Sequence, residues 1–173
     1  MSAADRDVRR CWISIGSNVD RERSLRGGVA DLRATFGPLI LSSVYETPAL
    51  GFVGEPFLNL VAGFDSEWTV AAIDARLRAI EDAHGRVRGP DKFAPRTLDL
   101  DLLTCGDAVG VVEGVILPRD EILDYGFVLG PLAEVAPDER HPQTGRSYAE
   151  LWSERSPSME PLRRVPLDLE RGS

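Results

Sequence analysis

Apolar residues follow strand-like and helix-like spacings in turn along most of the chain. Residues 11–15 form a short apolar run that ends at Gly-Ser-Asn, which predicts a first strand. From residue 20 to 36 apolar side chains return every three or four positions, which predicts an amphipathic helix with one buried stripe. That stripe consists of Leu25, Val29, Leu32 and Phe36.

The alternation continues through residue 104. Residues 39–46 and 57–64 predict two strands, and the loop between them, 47–56, carries two prolines and two glycines. A second helix follows from Thr69 to Gly85, and residues 98–104 predict a strand in which leucines alternate with acids. The order βαββαβ indicates an α+β protein with a ferredoxin-like core, an antiparallel sheet with its helices on one face.

The remaining residues predict shorter elements and a polar end. We expect a strand near 111–117 and small helices near 120–123, 127–135 and 147–152. Residues 153–173 are rich in Ser, Pro, Glu and Arg. The sequence therefore predicts one domain over residues 1–152 and a loose or peripheral tail over 153–173.

Charge and composition disfavour several classes of partner and several locations in the cell. The net charge of -8 disfavours a nucleic-acid partner, because such proteins carry broad basic surfaces. Residues 1–10 lack a signal peptide's apolar stretch, and no run approaches the roughly 20 apolar residues of a membrane span. We expect a cytoplasmic protein without a membrane partner. Cys11 and Cys105 have no zinc-ligand spacing, so they are interpreted as free buried thiols.

A basic loop precedes the acidic strand. Residues 85–97 contain the cations Arg86, Arg88, Lys92 and Arg96 against the single acid Asp91. Guanidinium groups offer paired donors to phosphate oxygens, so the loop is suited to a polyphosphate. A solvated loop with scattered charge is the alternative.

The strand after this loop favours the polyphosphate interpretation. Asp99 and Asp101 are two residues apart, so their carboxylates lie on the same face of the strand. Two neighbouring carboxylates repel unless a cation lies between them, and Mg²⁺ takes one or two carboxylates with water and phosphate oxygens. Metal on one side of a polyphosphate and arginines on the other are the requirements of phosphoryl transfer.

A second group of residues is suited to a flat acceptor. Phe57 and Asn59 share one strand face, so a ring can stack on a heterocycle while an amide pairs with its edge. Thr47 and Leu50 lie in the preceding loop, and Phe127 is a candidate for the opposite wall. Ordinary core packing is the alternative for both phenylalanines.

Several longer segments extend these observations. They are ISIGSN (13–18), VYETPALGF (44–52), EPFLNLV (55–61), IEDAHGRVR (80–88), PRTLDLDLL (95–103) and FVLGPLAEVAP (127–137). In their order and spacing the chain resembles the 6-hydroxymethyl-7,8-dihydropterin pyrophosphokinase family, over roughly residues 12–152. The resemblance implies ATP as co-substrate, two Mg²⁺ ions, a reduced pterin as acceptor, and transfer of pyrophosphate with release of AMP.

The resemblance also implies roles for individual residues. The metal ligands are Asp99 and Asp101, which act in catalysis together with Arg86 and Arg96. The nucleotide side consists of Glu81, Arg88, Lys92, Arg96, Leu102 and Arg119. The pterin is surrounded by Thr47, Pro48, Leu50, Phe57, Asn59, Phe93 and Phe127.

Departures from the family pattern concentrate on the nucleotide side. Lys92-Phe93-Ala94 stands where the family usually has Arg-Trp-Gly, Arg119 where it has a histidine, and Tyr125-Gly126 where it has an arginine before Phe127. Ala49 replaces a proline of the pterin loop. A diverged paralogue with weak activity or another pterin alcohol is therefore an alternative, as is a non-catalytic pterin- or nucleotide-binding module. The expected partners are small molecules, and the chain is expected to be a monomer or a weak homodimer.

Overall fold

The computed structural model describes residues 8–47, 56–85 and 97–169. Its elements begin and end as follows: β1 (Arg9–Ser17), α1 (Arg21–Phe36), β2 (Ile40–Leu41), β3 (Val44–Thr47), β4 (Phe57–Ser66), α2 (Val70–Ala83), β5 (Asp99–Cys105), β6 (Gly110–Val112), β7 (Val115–Leu117), α3 (Glu121–Asp124), α4 (Gly126–Val135), α5 (Tyr148–Arg155) and β8 (Arg163–Val165). A short 3₁₀ turn, Ser156–Ser158, follows α5.

The main sheet has six strands in the order β5-β1-β4-β3-β8, and β2 also pairs with β4. β1 lies between β4 and the edge strand β5 and pairs antiparallel with both. Two helical crossovers, α1 and α2, connect these strands in the order β1-α1-β3-β4-α2-β5. The predicted ferredoxin-like α+β fold is confirmed. Among the described residues, no helix is long and apolar enough to cross a membrane.

Alternation along the strands gives the sheet two buried faces. The core on the side of α1 and α2, called the helix-side core, holds Ile13 and Ile15 of β1 with the apolar stripes of these two helices. The opposite core holds Trp12, Val61 and Leu103 with residues of α4 and α5. Successive side chains of a strand point to opposite faces, so neighbouring residues of β1 and β5 enter different cores.

Two predicted strands are wrong in detail. The strand expected over 39–46 is divided at Ser42, whose amide donates to the carbonyl of Val61 (2.9 Å) while its hydroxyl accepts from the Val61 amide (2.9 Å). The strand expected over 111–117 is a two-stranded hairpin, β6–β7. Its turn residues Glu113 and Gly114 both have positive φ, 50° and 85°, as the tightest hairpin turns require.

The segment after α5, interpreted from the sequence as a loose or peripheral tail, contributes a strand to the sheet and packs against it as far as Leu169. β8 pairs antiparallel with β3 and covers that edge of the sheet. Val165 and Leu167 pack against the helix-side core, and Leu169 is only 5% exposed. Polar composition concealed these apolar residues, which alternate along the chain in the manner of a strand.

Candidate active site

Strand register places one residue from each of four strands in a row across the sheet. Asp99 of β5 lies opposite Gly16 of β1, and Gly16 lies opposite Asn59 of β4. Asn59 in turn lies opposite Tyr45 of β3. Side chains of directly paired residues share one face of the sheet, so the acidic strand and the predicted acceptor residues face the same side. In the amino-acid sequence the acids and the predicted acceptor residues belong to separate segments.

The acid pair is fixed by the strand that carries it. Asp99 and Asp101 alternate with Leu100 and Leu102, whose side chains are buried in the helix-side core. Leu103, on the face of the acids, is buried in the opposite core. Burial on both faces holds β5 in place, and the acids remain partly accessible, with the Asp101 side chain 26% exposed.

Asp101 lies in an electrostatically unfavourable position for a carboxylate. Burial, and then the negative charge of Asp99, raise its pKa to about 6. Two arginines oppose this effect from a distance: Arg119 Nη2 lies 3.7 Å and Arg78 Nη2 4.0 Å from Asp101 Oδ1. Neither distance is that of a hydrogen bond, so these two arginines act on Asp101 as neighbouring charges only.

Arg119 is brought to the acids by backbone pairing. Its amide donates to the carbonyl of Leu103 on β5 (2.9 Å), which anchors the end of the β6–β7 hairpin against the acidic strand. Its Nε donates to Glu121 Oε2 at 2.5 Å. Burial alone lowers the pKa of Arg119, but the Asp101 and Glu121 carboxylates outweigh this effect and the net pKa is raised. Arg119 therefore presents a permanent charge beside Asp101.

The acceptor side contains a buried polar pair. Asn59 Nδ2 donates to Thr47 Oγ1 at 2.8 Å, and both residues are buried. Phe57, half-buried, is two residues before Asn59 on β4 and lies opposite Thr47. Because the amide nitrogen of Asn59 is engaged by Thr47, its Oδ1 is oriented towards Gly16, where an added Cβ would lie at 3.0 Å. An amide oxygen held in this way is a hydrogen-bond acceptor of fixed direction.

Aromatic rings lie at the start of α4. Phe127 is half-buried against the opposite core, which is the face of the sheet that carries the acids and Asn59. The ring of Tyr125 stacks on it, with centroids 5.1 Å apart and planes at 23°. Tyr125 stands where the family pattern has a cation, and in this chain it extends the aromatic surface instead.

The other predicted site residues divide into two groups. Those that lie outside the described residues are Pro48, Leu50, Arg86, Arg88, Lys92, Phe93 and Arg96. Glu81 and Leu102 are described, and both side chains are buried: Glu81 is bonded to β5, and Leu102 belongs to the helix-side core.

Three further residues of this region were not among the site residues predicted from the sequence. Gly16 was identifiable in principle, because a glycine inside a strand often marks a site where a ligand or another segment approaches the backbone closely. Arg78 stands three residues before Glu81 on α2, a spacing at which helical side chains meet. Tyr125 stood out in the sequence only as a departure from the family pattern, and nothing there indicated that its ring would stack on Phe127.

Magnesium fits the donor set that the structure brings together. In the described part of the chain, no group of three or more His, Cys, Asp or Glu residues forms a cage for a metal. Mg²⁺ takes one or two carboxylates while water and phosphate oxygens complete its coordination, and the pKa of Asp101, raised by burial and by Asp99, shows that the two carboxylates are close enough to interact. Asp99 and Asp101 are the residues that would hold it.

The fold and the site together define a ferredoxin-like α+β protein with an acid pair and a buried Asn–Thr pair on one sheet face. Residues 12–137 match the family model described as 7,8-dihydro-6-hydroxymethylpterin-pyrophosphokinase. The chain belongs to this family and is a pyrophosphokinase of folate synthesis.

Two relatives support the assignment. The chain is 37% identical over 135 residues to the 2-amino-4-hydroxy-6-hydroxymethyldihydropteridine pyrophosphokinase of Methylorubrum extorquens, covering 76% of this chain and 85% of the relative. It is 34% identical over 148 residues to the enzyme of that name from Pseudomonas aeruginosa, covering 83% and 90%.

Solved structures show the same fold at much lower identity. The wild-type Plasmodium falciparum HPPK-DHPS crystal structure with pteroate has a TM-score of 0.69 and 12% identity, covering 93% of this chain and 48% of that one. The triple mutant with SDX-DHP has a TM-score of 0.68, covering 88% and 42%. The chain thus spans less than half of these proteins, and the likeness concerns the fold alone.

Proposed function

We propose that this chain transfers the pyrophosphoryl group of ATP to the hydroxymethyl oxygen of 6-hydroxymethyl-7,8-dihydropterin, with Mg²⁺ held by Asp99 and Asp101. The observation that supports this most strongly is the row Asp99–Gly16–Asn59, which joins the acid pair to the acceptor residues on one sheet face. A transfer reaction needs its two substrates side by side, and adjacent strands provide that proximity.

The acid pair supplies a rigid anionic site. When bound there, magnesium would draw negative charge from the transferring phosphoryl group and orient its oxygens. Leu100 and Leu102 anchor in the core the strand that carries Asp99 and Asp101, so the backbone of the proposed site is held in place. The raised pKa of Asp101 means that burial and Asp99 disfavour the bare carboxylate, a cost that a bound cation would relieve.

The acceptor residues suit a flat heterocycle with a donor–acceptor edge. Asn59 offers Oδ1 to an N–H of the ring, with Thr47 holding its amide in place. Phe57 and Phe127 each present a half-buried ring on this side of the sheet. Stacking on an aromatic ring and pairing with an amide are together selective for a planar, nitrogen-rich molecule such as a pterin.

Cations complete the proposed site on the nucleotide side. Arg119 lies beside Asp101 and would meet phosphate oxygens once a metal neutralises the acids. Arg86, Arg88, Lys92 and Arg96 are proposed to bind the triphosphate from the loop that precedes β5. Their part rests on the sequence, since they lie outside the described residues. Guanidinium groups would neutralise the charge that develops as AMP leaves.

Substitution of the central acid tests the assignment. Asp101→Asn keeps the shape of the side chain and removes its charge, so turnover with Mg²⁺ is expected to fall by about 10³-fold. Asp107→Asn, an exposed acid beyond the end of β5, is the matched control and should retain wild-type turnover. AMP formation from ATP and the pterin alcohol is the measurement. Near-normal turnover of Asp101→Asn would refute the metal assignment.

A further inference from the structure

Leu100 stands between the two acids on β5, and β5 is the edge strand of the sheet. The main-chain groups of an edge strand that point away from the sheet have no strand partner. At Leu100 both of these groups are satisfied from α2. Its amide donates to Glu81 Oε2 at 2.7 Å, and its carbonyl accepts from Arg78 Nη2.

Glu81 and Arg78 also bind each other. Arg78 Nη1 donates to Glu81 Oε1 at 2.6 Å, and the Glu81 side chain is 0% exposed. A buried carboxylate is tolerated when it is paired and hydrogen-bonded, and Glu81 meets both conditions through one arginine and one amide. We call this arrangement of Glu81, Arg78 and the Leu100 backbone the Leu100 brace.

The brace reaches the acid pair directly. The Arg78 guanidinium, which binds the Leu100 carbonyl, also lies 4.0 Å from Asp101 Oδ1. One side chain therefore lies beside both the strand backbone and the acid pair. Rotation of the Leu100 peptide units would displace the backbone of Asp99 and Asp101, because these residues flank Leu100. Bonds to both main-chain groups of Leu100 therefore restrain the backbone that carries the two carboxylates.

We propose that Glu81 and Arg78 are positioning residues that hold β5 so that Asp99 and Asp101 present a preformed metal site. This inference rests on the proposed function. Under this proposal Glu81 affects nucleotide binding indirectly, by holding β5, and not by contacting the nucleotide. Residues that orient metal ligands commonly change metal affinity about 10–100-fold when they are replaced.

Metal binding without nucleotide separates positioning from contact. Glu81→Leu removes the acceptor for the Leu100 amide, and the Kd for Mn²⁺, measured by EPR titration of the free protein, is expected to rise about 10–100-fold. Hydrogen exchange at the Leu100 amide should accelerate in the same variant. Glu81→Gln retains a carbonyl acceptor and should restore most of the protection and most of the Mn²⁺ affinity.

A variant of Arg78 supplies an independent test, and a variant of Asp74 supplies a control. Arg78 is partly exposed, so Arg78→Gln tests the brace even if Glu81→Leu fails to fold, and it should weaken Mn²⁺ binding in the same direction. Asp74→Asn removes the other carboxylate near the same arginine, at 3.7 Å, without touching β5. This control should leave both the Mn²⁺ affinity and the Leu100 exchange rate unchanged.

The outcomes distinguish the brace from the proposed function. Unchanged Mn²⁺ affinity and Leu100 exchange in Glu81→Leu, with weaker binding of a non-hydrolysable ATP analogue, would overturn the inference and indicate direct contact. A wild-type protein that binds no Mn²⁺ would overturn it together with the metal assignment. A wild-type protein that binds Mn²⁺ but forms no AMP would overturn the proposed function alone, and the variant series would still decide the brace.

Discussion

Replacing Gly16 by alanine puts a methyl group into the row that joins the acid strand to the acceptor residues. The new Cβ would lie 3.0 Å from Asn59 Oδ1 and 3.8 Å from Phe57 Cδ1. The first contact is too close, so Asn59 must retreat by a few tenths of an ångström. The second is ordinary packing. The perturbation is therefore directed at the amide that is proposed to bind the pterin.

The expected changes in folding stability and in the KM for the acceptor follow from the hydrogen bonds of Asn59. Weakening its 2.8 Å hydrogen bond to Thr47 costs about 1 kcal/mol of folding stability, and replacing glycine in a strand returns roughly 0.5–1 kcal/mol. These effects nearly cancel, so the melting temperature should change little. Loss of one well-placed hydrogen bond to the acceptor corresponds to about a tenfold rise in its KM.

The assay is steady-state AMP formation with the pterin alcohol varied at saturating ATP and Mg²⁺. Gly63→Ala, on the same strand as Asn59 but facing Trp12, is the control for general loosening of the sheet. It should lower the melting temperature more than Gly16→Ala does, without a selective rise in acceptor KM. An unchanged acceptor KM in a folded Gly16→Ala protein would refute the role given to this row.

Three further predictions concern stability and thiol chemistry. The Arg21 hydrogen bond lowers the pKa of Glu46, so this carboxylate stabilises the fold above its unfolded pKa and loses the effect as pH falls. In urea unfolding, Glu46→Gln should cost about 1 kcal/mol at neutral pH, and this loss should shrink as the pH falls below the unfolded pKa of Glu46. A loss of the same size at acidic and neutral pH would contradict the ion pair. Cys11 and Cys105 face each other with Sγ atoms 3.3 Å apart and are buried, so neither should react with a thiol reagent until the protein is denatured. Rapid reaction of the native protein would show that this core opens. Truncation after residue 158 removes β8 and Leu169 and should destabilise the protein by about 2 kcal/mol or more, which an unchanged thermal midpoint would exclude.

Local periodicity predicted the main elements because it reports which face of each element is buried. The three- and four-residue spacing in 20–36 and 69–85 gave both helices, and Thr69 caps the second by accepting from the Ala72 amide at 3.1 Å. The alternation of leucine and aspartate in 98–104 gave both the core anchor and the common face of the acids. These features depend on neighbours in sequence.

Long-range pairing could not be read from the chain in the same way. The alignment of Asp99, Gly16 and Asn59 depends on the register of three strands, which hydrophobic alternation leaves open by steps of two residues. The binding of Glu81 to the Leu100 amide likewise needs the packing of α2 against the sheet edge. Composition suggested a loose or peripheral tail over 153–173, and it gave no sign that residues 163–165 would pair with β3 as a strand.

The most direct test of the central claim is product analysis by ³¹P NMR with ATP, 6-hydroxymethyl-7,8-dihydropterin and the folded protein, with and without Mg²⁺. The account predicts AMP and the pterin diphosphate in equal amounts, with no turnover when magnesium is chelated. Formation of ADP and a pterin monophosphate, or product formation independent of the metal, would contradict it.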